Sequence, residues 1–147
     1  MVKPADASLT PEKTVADVMN TDVVTVQLND VLPIADDMKY LLDAWCFPVL
    51  DSGKLAGIVD QSDLLNIMLV ARSHHSNEPP RGMLGTVTVR ALMKAAATVS
   101  PDTSIHQAAR TMVERGIECL LVTARDELVG LVTKANLLRE LAHDRAR

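Results

Sequence analysis

The stretch Cys46-Phe47-Pro48-Val49-Leu50-Asp51-Ser52-Gly53-Lys54-Leu55-Ala56-Gly57-Ile58-Val59-Asp60 has a counterpart 73 positions on, Cys119-Leu120-Leu121-Val122-Thr123-Ala124-Arg125-Asp126-Glu127-Leu128-Val129-Gly130-Leu131-Val132-Thr133. Each is an apolar run, a polar turn and a second apolar run, which predicts a β-hairpin. The first is Phe47–Leu50, the turn Asp51-Ser52-Gly53-Lys54 and Leu55–Val59. The second is Cys119–Thr123, the turn Ala124-Arg125-Asp126-Glu127 and Leu128–Val132. Working outward, the same offset lays Thr25–Leu69 on Thr98–Ala142 without a gap, with Ala35 on Ala108 and Leu64-Leu65 on Leu137-Leu138. One further step matches Thr14-Val15 and Met19 to Thr88-Val89 and Met93. The chain is two copies of one unit, and such self-similarity governs the fold.

The other elements repeat as well. Thr14 and Thr88 predict N-caps of the helical turns Val15–Met19 and Val89–Met93, and Asp17 completes a capping-box pattern. Val23–Val26 and Ala97–Val99 are short strand candidates. Asn29 or Asp30 caps a helix whose Val31, Ile34, Ala35, Met38, Leu41 and Leu42 follow helical spacing. In the second copy Pro101-Asp102-Thr103-Ser104 opens the helix, Ile105, Ala108, Ala109, Met112 and Val113 line it, and Gly116 is its C-terminal cap. Helices at about Ser62–Ala71 and Lys134–His143 close the copies. The fold class is α/β, of the α+β type: two β-α-β-β-α repeats, each with a helical lead-in. The organisation expected is a tail (1–13), a first domain (14–71), a polar linker (72–87), a second domain (88–143) and a tail (144–147). A copy of about 55 residues buries little surface alone. Packing the copies together, with pseudo-twofold symmetry, supplies the core.

Composition narrows the function. Tyr40, Trp45 and Phe47 are the only aromatics and the net charge is −4. Both count against a nucleic-acid partner, which requires stacking platforms or a basic surface. No apolar run approaches the roughly 20 residues of a membrane span, and Met1–Asp6 does not read as a signal peptide. The expected location is cytoplasmic. Cys46 and Cys119 are too few for a disulfide framework or a structural zinc site, and read as small buried core residues. His74-His75 reads as a solvated linker pair. No nucleophile elbow, Walker loop, zinc-protease or Cys-x-x-Cys motif is present, so no enzyme activity and no catalytic cofactor or metal are expected.

The lead-in Thr-Val-x-x-x-Met, the Thr-Val strand, the hairpin ending in Gly-hydrophobic-Val and the Leu-Leu helix occur twice in the same order. Over about Thr14 to Ala142 the chain resembles a tandem pair of cystathionine-β-synthase-type (CBS) domains. The resemblance implies a regulatory module with clefts for AMP, ADP, ATP or S-adenosylmethionine, acting on a separate effector protein. It also implies a site signature, Gly-x-x-(Thr/Ser)-x-x-(Asp/Asn), which Gly130-Leu131-Val132-Thr133-Lys134-Ala135-Asn136 matches. A helix N-terminus suits an anion. Thr133 offers a hydroxyl, Asn136 an amide for a ribose hydroxyl and Lys134 a charge for phosphate. Adenine is expected between Val99 and Leu120 or Leu121. The first copy departs from the signature: Asp60 replaces the hydroxyl, a charge that opposes phosphate, and Asp63 is kept for a ribose diol. Thr133, Asp60 and Asp63 equally suit plain helix caps. Alternatives to the sensor are a dimeric scaffold and, remotely, an enzyme on this scaffold. A homodimer is expected, because Leu64, Leu65, Ile67, Met68, Leu69 and Val70 make the helix Ser62–Ala71 apolar nearly all round.

Overall fold

The computed structural model describes residues 12–31, 46–74 and 88–145, and for 67, 68, 70–74, 144 and 145 the backbone alone. The helix expected over Val31–Leu42 falls outside these residues, except for Val31. That residue forms a bridge with Thr88 and is exposed rather than lining a helix.

Each hairpin forms with the same irregularities. Strands β2 (Cys46–Asp51) and β3 (Lys54–Asp60) pair antiparallel, as do β5 (Cys119–Ala124) and β6 (Glu127–Thr133). The ladder shifts register at Val49/Leu50 and again at the equivalent Val122/Thr123. Both turns hold two residues at positive φ, Ser52 and Gly53 in one, Arg125 and Asp126 in the other. That backbone matches the twist of the flanking strands. Only Gly53 enters it without a Cβ penalty.

The short strands β1 (Val26–Gln27) and β4 (Thr98–Val99) add parallel to β2 and β5, giving two three-stranded sheets among the described residues. β1 starts later than the Val23–Val26 expected. Asn20 is already paired with Leu131, and Val23 packs between the sheets. The closing helices are α2 (Gln61–His74) and α5 (Lys134–Arg145); α2 runs three residues into the segment read as linker. Helix α4 (Ile105–Arg115) has the predicted caps: Ser104 accepts from the Gln107 N–H, and Gly116 stands in the left-handed conformation. Ile105, Ala108 and Met112 are buried, but Val113, expected on the apolar face, is 75% exposed.

The lead-ins are exchanged between the copies. Helix α1 (Val15–Val18) belongs by sequence to the first copy, yet its N–H groups bond the second. Val15 N–H donates to Thr103 O at 2.7 Å and Ala16 N–H to Pro101 O at 2.9 Å. Val15 is fully buried among Ile105, Leu120 and Val132. Helix α3 (Val89–Leu92) does the reverse: Val89 N–H donates to Asp30 O at 2.8 Å, and Val89 is buried with Val26, Phe47 and Val59. Burying either valine is worth about 1.5–3 kcal/mol. A third cluster, Cys46, Ile58, Cys119, Leu121 and Leu131, lies between the two sheets. Among the described residues three cores, each drawing on both copies or lying between them, explain how units too small to fold alone make one body.

Candidate functional site

Each copy ends its hairpin where a strand passes directly into a helix, and the crossing lead-in lies against that junction. At β6–α5, Asn20 and Leu131 exchange backbone hydrogen bonds at 2.8 and 2.9 Å. At β3–α2, Lys94 and Ile58 do the same at 3.0 and 2.9 Å. This approach leaves no room for a side chain on the preceding glycine. A Cβ on Gly57 would meet Lys94 O at 2.6 Å, and one on Gly130 would meet Met19 Sδ at 2.5 Å. The glycine of the seven-residue signature therefore has a structural cause in each copy.

The signature's polar residues form a box at both junctions. In the second, Asn136 Oδ1 accepts from Thr133 N–H at 2.9 Å and from the Thr133 hydroxyl at 3.0 Å. Thr133 Oγ1 accepts in return from Asn136 N–H at 3.2 Å. In the first, the Asp63 carboxylate accepts from Asp60 N–H at 2.8 Å, and the Asp60 carboxylate from Asp63 N–H at 3.1 Å. Reciprocal caps of this kind satisfy the orphan donors of a helix's first turn. Thr133 and Asn136 are partly exposed, and Asn136 Nδ2 has no protein partner among the described residues.

Charge separates the junctions. Lys94, which sequence reading left unassigned, sends its Nζ to Asp60 at 2.6 Å and to Asp63 at 3.4 Å. Partial burial pushes the Asp60 pKa up, but the Lys94 hydrogen bond and charge, with the Asp63 N–H, hold it below the ordinary carboxylate value. Burial likewise opposes the charge on Lys94, and Asp60 and Asp63 together raise it above its usual value. Asp60 is thus not a bare carboxylate: Lys94 already stands against it. At the second junction the position of Lys94 is held by neutral Asn20, whose Oδ1 accepts from Asp22 N–H. The signal for Lys94 was its place beside Met93, matching Asn20 beside Met19, but its target on the other copy was not legible.

The remaining expected residues are more engaged than the sequence suggested. Lys134 Nζ lies 3.3 Å from the Glu118 carboxylate, and Lys134 N–H donates to Glu118 O at 2.9 Å. The helix N-terminus is thus not an open row of donors. Leu120 and Leu121 are fully buried and fall into different clusters, on opposite faces of β5. Val99 is partly buried and packs against the cluster that holds Leu120. An open cavity of about 830 Å³ lies at the hairpin tips, lined by Lys54, Thr98, Thr123, Arg125 and Glu127 among others. No helix among the described residues is long and apolar enough to cross a membrane.

Comparison with known proteins agrees with this geometry. The CBS domain family model matches twice, over residues 15–70 and 89–143. An A-adding tRNA nucleotidyltransferase of Geobacter sulfurreducens is 28% identical over 130 residues, 88% of this chain and 13% of that protein. The chain therefore spans a small fraction of that relative's length. Among solved structures, the CBS domain of a CBS-domain-containing membrane protein from Sphaerobacter thermophilus is 26% identical, with a TM-score of 0.70 and coverage of 92% of this chain and 91% of that one. CBSX2, solved in complex with AMP, is 24% identical with a TM-score of 0.69, covering 90% and 98%.

Proposed function

The chain belongs to the CBS domain family, and from that premise we propose that it is a non-catalytic sensor of an adenosine-containing ligand, AMP, ADP, ATP or S-adenosylmethionine. The carrying observation is the contrast between the junctions. Thr133 and Asn136 form an uncharged, partly exposed pair with a spare amide donor. Asp60 and Asp63 are closed by Lys94. A neutral polar pair exchanges its hydrogen bonds for those of a ribose diol at small cost, because both partners keep a bond throughout. The AMP complex of CBSX2 supports the ligand class, although that likeness is one of fold.

In this reading Asn136 Nδ2 and the Thr133 hydroxyl hold the ribose. Lys134 swings from Glu118 to the phosphate, and adenine lies along β4 against Val99. Leu120, in the cluster that Val99 packs against, is the wall behind it, and Leu121 faces the other side of β5. Asp60 and Asp63 make the first cleft the weaker one, since a ligand there must displace an ion pair. The module works in the cytoplasm on a separate effector protein. It forms a homodimer: Leu65 on α2 and its equivalent Leu138 on α5 are 61% and 65% exposed. Apolar side chains so exposed at matching places suit a helix-to-helix contact.

A dialysed sample is scanned for thermal shifts with AMP, ATP and S-adenosylmethionine, and the best ligand is titrated by calorimetry. Binding that survives the double substitution Thr133→Ala/Asn136→Ala undiminished places the ligand elsewhere. No shift with any of the three removes the sensor. Light scattering at micromolar concentration decides the dimer, and a monomer there rejects it.

A further inference from the structure

Cys46 and Cys119 hold equivalent positions in the two copies, and duplication brings such positions face to face across a pseudo-twofold axis. Both begin the first strand of their hairpins, opposite Asp60 and Thr133 respectively. They share the cluster between the sheets with Ile58, Leu121 and Leu131, at 4% and 9% exposure, and neither is in a disulfide. Each thiol is close enough to the other to shift its titration. Two apolar residues of similar size would pack as well there. We propose that Cys46 and Cys119 are a redox modification site, closing under a hydroperoxide oxidant to a disulfide that staples one copy to the other.

The environment divides the roles. The neighbouring Cys119, and then burial, push the Cys46 thiol far up. Cys46 in turn holds Cys119 below its usual value, against the opposing effect of burial. Lys94 favours the thiolate and Asp60 opposes it. Cys119 is also the more exposed of the two. Its thiolate attacks one peroxide oxygen, the O–O bond breaks and the departing alkoxide takes up the proton that Cys119 released. Cys119 is then a sulfenic acid. Cys46 sulfur attacks it, the S–S bond forms, the S–O bond breaks and hydroxide leaves with the Cys46 proton as water. Two thiols give up two electrons and two protons, and ROOH becomes ROH and water. The bond joins residues far apart in sequence, so it constrains the unfolded chain strongly. It also pins the two hairpins at the level of Asp60 and Thr133.

The test uses the full reduced chain, treated with hydrogen peroxide and blocked with a maleimide under denaturing conditions. Intact mass and peptide mapping follow. The expected result is loss of both maleimide sites, a mass lower by two hydrogens and one linked Cys46–Cys119 peptide within a single chain, all reversed by dithiothreitol. The oxidised chain should melt about 5–10 °C higher, and Cys46→Ser and Cys119→Ser should show no such rise. With Cys46→Ser, dimedone should capture a sulfenic acid on Cys119, whereas Cys119→Ser should give far less on Cys46. Two free thiols after peroxide, links only between chains, or an intrachain link with an unchanged melting point would overturn the staple. Peptide mapping of the unsubstituted chain decides the matter even where a serine variant folds poorly.

Discussion

The junctions β3–α2 and β6–α5 share a backbone and differ in chemistry. Both receive the other copy's lead-in through a pair of backbone hydrogen bonds, both need a glycine there and both cap their helix with a reciprocal box. The first box is two carboxylates neutralised by a lysine; the second is a threonine and an asparagine with no ion pair between them. The glycine and the capping pair therefore serve the scaffold wherever they occur. In the proposed sensor, discrimination between ligands would rest on the residues that differ, Asp60, Asp63 and Lys94 against Thr133, Asn136 and Asn20. In that reading fold and function separate within one chain.

The strongest way to break this comparison is to put a methyl group on each glycine. In Gly57→Ala the new Cβ meets a backbone carbonyl, Lys94 O, at 2.6 Å, and that oxygen is fixed by the bond from Ile58 N–H. The lead-in must move, and the expected loss is about 2–3 kcal/mol. In Gly130→Ala the nearest atom is Met19 Sδ at 2.5 Å, on a side chain with several rotatable bonds. It can turn aside, which leaves a smaller conflict with the backbone Asn20 O at 3.2 Å, so about 1 kcal/mol is expected. Urea unfolding of both variants measures the difference; equal losses would mean that the crossings are not built as described.

The next effect concerns binding. Lys134→Ala should weaken AMP by about 1–2 kcal/mol, roughly tenfold, and leave adenosine almost unchanged, because adenosine has no phosphate. Calorimetry with the two ligands provides the comparison. Equal losses would reject a phosphate role for Lys134 and leave its contact with Glu118 as its whole purpose.

Much of this scaffold was legible because its signals are local. Two hairpins at one spacing, Ser104 and Gly116 around α4 and the Leu-Leu helices all declare themselves through residues within a few positions of one another. The exchange of lead-ins does not. Val15–Val18 is a single turn with no periodicity to read, and its partners Pro101 and Thr103 lie in the other copy. The same distance concealed Lys94: a lone lysine after a methionine reads as solvated until the fold brings it to Asp60. The residues of the second box were legible as types. That they would bond each other, and that Glu118 would hold Lys134, depended on geometry that spacing does not carry.

Lys94→Ala probes the first box. Its ammonium is about half exposed, so solvent screening limits the pair to about 1 kcal/mol. The pH profile identifies the source. Asp60 titrates below its ordinary 3.8, so its share of the stability is present above that pH and is lost as pH falls through the folded value. Lys94 titrates above its ordinary 10.5, so its share is present below that pH and is lost as pH rises through the folded value. The gap between wild type and variant should be flat across the neutral range and close below about pH 4. A gap that persists in acid would show that the lost lysine mattered for packing rather than charge.

The smallest effect, and the sharpest for ligand binding, is Glu118→Gln. The Lys134–Glu118 pair is exposed on both sides, 45% and 63%, so its removal should change stability by a few tenths of a kcal/mol at most. Glu118 O, which accepts from Lys134 N–H, is backbone and survives the substitution. If Lys134 must leave Glu118 to reach a phosphate, the variant removes that competition, and AMP should bind about two- to threefold more tightly for a gain of a few tenths of a kcal/mol. Adenosine should not respond. Added salt should shrink the wild-type disadvantage, since it screens an exposed pair. Calorimetry at two salt concentrations reads both trends. A gain for AMP that vanishes in the double variant Glu118→Gln/Lys134→Ala would assign the effect to the freed ammonium. A gain that persists without Lys134 would assign it to the removal of a negative charge near the cleft.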